Sequence, residues 1–219
     1  MDRHCTLPGC LGPFDLRTFM SATRLRTILA RSEATIRERA SKFIGIALPL
    51  SSEEELKSHV RNIAKEHHTA RHVCYAMVLG NKSEMQRSND DGEPSGTAGP
   101  PILRAITGAG LTNTTVLVVR YFGGTLLGKG GLVQAYGDAA RAALAQATIV
   151  EHAIMGRIRF TCSLQAFEAI KREVTSNGGS ILDKDFSSIC QATAALPLEH
   201  LERIEARWHS MGLTTERIN

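Results

Sequence analysis

Between Asn89 and Leu132 two long loops, the first rich in acid, glycine and proline and the second in glycine, bracket a nearly continuous apolar run, and this alternation limits the fold more than any other feature. Thr114-Thr115-Val116-Leu117-Val118-Val119 is β-branched and apolar, the pattern of a strand buried on both faces. After the second loop, Leu132, Val133, Tyr136, Ala139, Ala140, Ala143, Leu144 and Ala147 recur at the spacing of a packed helix. The order is strand, glycine loop, helix.

That second loop runs Arg120-Tyr121-Phe122-Gly123-Gly124-Thr125-Leu126-Leu127-Gly128-Lys129-Gly130-Gly131. Gly123, four residues, then Gly128 and Lys129 match a phosphate loop, in which glycines admit backbone amides to phosphates and lysine adds charge. Gly130 stands where the serine or threonine that holds magnesium belongs. Three readings stay open: nucleotide hydrolysis, which lacks that hydroxyl; an anion-binding helix start built from Arg120, Gly123, Gly124, Gly128, Lys129, Gly130 and Gly131; and plain architecture, with glycines serving turns and close packing.

The first loop places Asp90, Asp91 and Glu93 within four positions. Three carboxylates so close are weak candidates for a hard cation or for acid and base work. Asp91-Gly92 is also a turn dipeptide, and the turn is the favoured reading, its acids solvated or paired to Arg71 or Arg120. His72, at the mouth of the apolar run Val73–Leu79, is a candidate general base. Neither H-E-x-x-H nor G-x-S-x-G occurs, and Cys74, inside the apolar run, reads as an inert core thiol. Pro100 and Pro101 suit a helix start.

Elsewhere the periodicities are plain. Residues 34–39 and 42–48 read as two strands, and Ser52 with Glu55 is a capping box opening a helix whose face is Leu56, Val60, Ile63, Ala64 and His67. Gly80 to Asn89 reads as a polar loop. Four strands and two main helices make this an α+β pattern. From Arg157 the order becomes strand, helix, hairpin, helix and a last short strand, which is the ferredoxin-like arrangement. The domains are expected at 32–151 and 157–219, joined without a flexible linker, after an extension over 1–31.

Within that extension Met1–Phe19 lacks both a period and the apolar core of a secretory signal, so it is expected to be disordered, with Met20 as the start of translation. A competing reading takes the arginines Arg17, Arg24, Arg26 and Arg31, unaccompanied by acid over Leu16 to Ser32, as a transit peptide. With 42% hydrophobic residues the 219-residue chain can bury a core, and a net charge of +4 permits nucleic-acid contact without demanding it. The five cysteines are scattered and include no C-x-x-C pair, which fits a reducing cytoplasm better than a disulfide framework. No run is long enough to span a membrane.

The two signatures, Asp90-Asp91-Gly92-Glu93-Pro94 through Gly99 and Arg120-Tyr121-Phe122-Gly123-Gly124 through Leu132, together with Ser41-Lys42-Phe43-Ile44 and Ala70-Arg71-His72, resemble those of the YigZ/IMPACT family. The resemblance covers about Ser32 to Asn219. It implies a ribosomal protein S5 domain 2-like fold followed by a ferredoxin-like one. It also implies a non-enzymatic role in translation, since eukaryotic relatives inhibit an amino-acid-starvation control of initiation by competing for the activator of a kinase. The expected partners are the ribosome, RNA or a translation-control protein, with no cofactor, no membrane and no DNA specificity. The alternative is a metal-dependent enzyme acting on a phosphorylated or nucleotide substrate, with His72, Asp90, Asp91 and Glu93 as its chemistry.

Overall fold

The computed structural model describes residues 23–186 and 189–218; the disordered stretch expected over Met1–Phe19, the start at Met20, Arg17, Cys5 and Cys10 lie outside them. A five-stranded antiparallel sheet forms the first layer. Its strands, named in chain order, are β2 (Ser32–Glu38), β3 (Ser41–Pro49), β4 (His72–Leu79), β5 (Met85–Asn89) and β6 (Thr114–Tyr121), arranged β2-β3-β6-β4-β5. As the apolar run requires, β6 lies at the centre and is buried on both faces.

Strand alternation divides the core in two. Phe43, Ala47, Cys74, Ala76, Val116 and Val118 face helices α2 (Gly99–Gly108) and α3 (Gly128–Ala145), while Ile44, Ile46, Leu48, Leu117 and Val119 face α1 (Glu53–Glu66) through Ile63. Helix α1 opens as its capping box requires, Ser52 Oγ accepting from the Glu55 amide at 3.2 Å. Helix α3 lies so close to β3 that a Cβ placed on Gly45 would stand 2.2 Å from the Ala139 carbonyl oxygen.

Two strands fall where the sequence reading has none. The second half of the expected polar loop is β5, whose five side chains are all exposed. An edge strand with no buried row gives no alternation to read. Arg24–Ile28, inside the stretch read as an extension, is β1, and it pairs antiparallel with β7 (Ile149–Ala153).

The second domain consists of β8 (Met155–Cys162), α4 (Leu164–Ser176), β9 (Ser180–Asp185), β10 (Cys190–Pro197), α5 (Leu198–Ser210) and β11 (Thr214–Ile218). Its antiparallel sheet has the order β11-β8-β10-β9, the ferredoxin-like topology, around a core of Phe160, Phe167, Ile170, Leu201, Ile204 and fully buried Trp208. Trp208 donates its indole N–H to Glu173 at 3.1 Å, so this side chain is core. Between the domains Ile154 donates to the Thr23 carbonyl and accepts from the Leu198 amide, which ties the junction to the start of β1 and to α5. Substituting Gly45→Ala is expected to lower stability by about 2 kcal/mol, read as a lower urea midpoint at unchanged slope, because helix α3 must move off the sheet to admit one methyl.

Candidate functional site

The two signature loops meet at one end of the first sheet, on the α2/α3 side. The strand register puts Phe43, Arg120 and His72 in one row across β3, β6 and β4, so the three side chains leave the same face. Tyr136, two turns into α3, reaches the row from above. Its ring meets Phe43 edge-on at 5.2 Å between centroids.

Glu93 joins these parts. Its side chain is buried; Oε1 accepts from Arg120 Nη1 at 2.6 Å and from the Tyr136 hydroxyl at 2.8 Å, with His72 Nε2 at 3.8 Å. The Arg120 guanidinium lies between two rings, 5.5 Å from the Phe43 centroid and 5.4 Å from that of Phe122. Burial raises the Tyr136 hydroxyl far above its usual range, and Cys74 and Glu93 add to the rise, so the hydroxyl stays protonated and donates.

Asp90 and Asp91 have other work. Asp90 Oδ1 accepts from the Ala98 and Gly99 amides at 2.9 and 2.8 Å, and Oδ2 from Gly96 at 2.9 Å. Desolvation pushes its pKa up, and the three amides more than offset this, leaving it below the ordinary value. The α2 start therefore takes its anion from the preceding turn. Asp91 Oδ2 accepts from the Val73 amide at 2.6 Å, and the Asp91 carbonyl oxygen lies 2.6 Å from His72 Nδ1. Asp91 and Gly92 hold φ of 44° and 81°, as the turn dipeptide predicts.

The three acids therefore do not converge, and the reading of them as a cation site gives way to two turn anchors and one buried ion pair. Among the described residues no group of three or more His, Cys, Asp or Glu side chains is placed to hold a metal. Cys74 donates to the Asp90 carbonyl at 3.0 Å, and burial pushes its thiol up to about 12. As the sequence reading has it, this is an inert thiol.

Above the row opens a cleft of about 490 Å³, lined by Arg71, His72, Glu93, Pro94, Arg120, Phe122, Leu126, Leu127, Gly128, Lys129 and Leu132. Of the anion-binding candidates, Gly128 and Lys129 line it directly. Arg120 forms its floor but is neutralised by Glu93. Gly123 serves packing, since a Cβ there would stand 1.8 Å from the Ala40 carbonyl oxygen, and Gly124 serves a φ of 86°. Gly130 has neither reason: its φ is not positive, and nothing lies within 4 Å of a Cβ built on it. A Cβ on Gly131 would come within 3.2 Å of Leu127 Cβ, closer than ordinary van der Waals contact, so Gly131 also serves packing. No side chain caps the start of α3. Sequence reasoning passed over Tyr136, whose place on an alanine-rich helical face reads as core, and Phe122 and Leu126, which lie in a loop without a period.

A match to the Impact N-terminal domain family spans residues 39–144, from the end of β2 to the end of α3, and holds both loops. Over 171 residues the chain is 34% identical to the IMPACT family member YigZ of Escherichia coli (strain K12), an alignment covering 77% of this chain and 84% of the relative. The chain belongs to the IMPACT family. The Bacillus subtilis (strain 168) family member YvyE is 40% identical over 129 residues, 59% of each chain. A solved structure described only as that of a hypothetical protein shares 31% identity and a TM-score of 0.71 over 90% of this chain and 98% of its own, so the two-domain architecture is common to both.

In this IMPACT family cleft, Glu93→Leu is expected to cost about 3–5 kcal/mol in denaturant unfolding because it leaves Arg120 buried and bare, whereas Tyr136→Phe costs about 1 kcal/mol. A pH titration of stability gives a second check. Asp90 has a folded pKa below its unfolded value of about 3.9, so its contribution is present above that value and is lost as pH falls through the folded pKa. Asp90→Asn should flatten this acid limb below about pH 4.

Proposed function

We propose that this protein is a non-enzymatic cytoplasmic regulator associated with translation, which binds ribosomal RNA phosphate at the cleft between the two loops. The observation that carries the reading is Gly130. Glycine inside a helix costs roughly 1 kcal/mol relative to alanine, and here neither a turn nor a neighbour requires it. What the residue provides is bare backbone in the uncapped first turn of α3, next to Gly128 and exposed Lys129, which line the cleft. Backbone amides at a helix start, with a lysine beside them, suit a phosphate oxygen.

The electrostatics point the same way. Glu93, the one buried carboxylate at the cleft, is spent on Arg120 and Tyr136, so the surface charge there comes from Arg71 and Lys129. The same pairing speaks against proton transfer by Glu93, and among the described residues the thiol nearest His72 in the chain, Cys74, is buried with its pKa raised. Family membership supplies the setting in translation, as the resemblance implies. No helix among the described residues is long and apolar enough to cross a membrane.

Co-sedimentation with ribosomes and their subunits at low and high salt tests this. The parent should sediment with a subunit and be released by salt, and Lys129→Glu should bind about tenfold more weakly with a shallower salt dependence. Gly130→Ala separates site from scaffold: it should leave folding unchanged or up to about 1 kcal/mol more stable, yet weaken sedimentation. A folded parent that fails to sediment at low salt, or association indifferent to both substitutions, would remove the cleft from the account.

A further inference from the structure

A phosphate needs amides and charge; it does not need a greasy wall. Yet Phe122, Leu126, Leu127 and Leu132 line the cleft beside Gly128 and Lys129, and two of them stand out in solvent, Phe122 at 41% and Leu126 at 80% exposure. Large apolar side chains held at the mouth of a polar cleft cost free energy unless something covers them.

Phe122 is also held in place. One side of its ring stacks over the Arg120 guanidinium, 5.4 Å away, and Arg120 is itself fixed by its bond to buried Glu93. The outer part of the ring is left open. A flat aromatic surface beside an anion site has the two halves that a nucleotide needs: a π-face for the base, and amides with a lysine for its phosphate. The floor adds a third element. Arg120, 6% exposed, keeps an Nε donor without a hydrogen-bond partner among the described residues, so the buried cation under the ring is not fully neutralised by its bonds.

We infer that the cleft takes a single unpaired nucleotide of RNA, its base stacked on Phe122 and its phosphate on the start of α3; this rests on the RNA-binding reading above and narrows it. A cleft of about 490 Å³ lies in the range that holds one small ligand group. A base inside a duplex is already stacked on both sides and cannot reach the ring, so recognition is confined to loops, bulges and single strands. Stacking on a ring accepts the face of any base, so the site tolerates any sequence.

The test uses the full chain and three fluorescein-labelled probes followed by anisotropy: a single-stranded RNA decamer, a ribose-phosphate decamer without bases, and a blunt RNA duplex. The parent should bind the single strand at least several-fold more tightly than the other two. Phe122→Ala should lose roughly tenfold on the single strand while keeping the parent's affinity for the abasic chain, and Phe122→Trp should recover the loss. Circular dichroism of the Phe122 variants, in which an exposed loop side chain is changed, checks that they are folded. Equal binding of single strand and duplex by the parent, or no effect of Phe122→Ala on the single strand, overturns the inference and leaves phosphate binding standing. A parent that binds none of the three probes overturns both.

Discussion

One carboxylate oxygen, Glu93 Oε1, holds the first domain's loop end together. It receives a guanidinium from the end of β6 and a hydroxyl from α3, and it belongs to the turn that leads into α2. Loops built from glycine have few side chains with which to fix themselves, so their shape has to be imposed from outside. Here a buried charge pair does this. Its attraction is strengthened by the low dielectric around it, and the tyrosine donor helps meet the desolvation cost. The arrangement also decides the chemistry on offer, because the acid that anchors the loops is no longer available as a base, while the cations left at the rim are.

The parts of the fold legible in the sequence are those with a period. β6 shows as a β-branched apolar run, α3 as a helical apolar face, and the second domain as an ordered succession of strand and helix patterns. β5 does not show, because five exposed residues on an edge give no alternating burial to detect, and β1, whose burial does alternate, is five residues long and sits in an arginine-rich stretch that reads as an extension. The site divides on similar lines. The turn at Asp91-Gly92 is local chemistry and can be read from adjacent residues. The pairing of Glu93 with Arg120 is one of two open to the acids, and only the strand register decides it. Tyr136 is hidden among alanines, where its ring counts as core and its hydroxyl goes unremarked.

The glycines of the second loop sort by cause. Gly123 is required by the Ala40 carbonyl and Gly124 by its own backbone angle. Substitution at either is a question of folding. Gly130 is constrained by neither, so substitution there leaves the fold's geometry untouched.

The β1–β7 ribbon carries a consequence for how the chain assembles. Arg24 lies opposite Ala153 and Ile28 opposite Ile149, so the earliest described strand finds its partner only after every element of the five-stranded sheet has been made. Such a contact closes a long loop and comes late, whether on the ribosome or in refolding. Before that, β1 is tied to the first domain through the loop before β6, where the Arg26 carbonyl accepts from the Thr112 amide and Thr27 donates to the Asn113 carbonyl. The ribbon therefore joins the earliest described strand to the segment that leads into the second domain, so the two ends of the first domain close on each other at the junction.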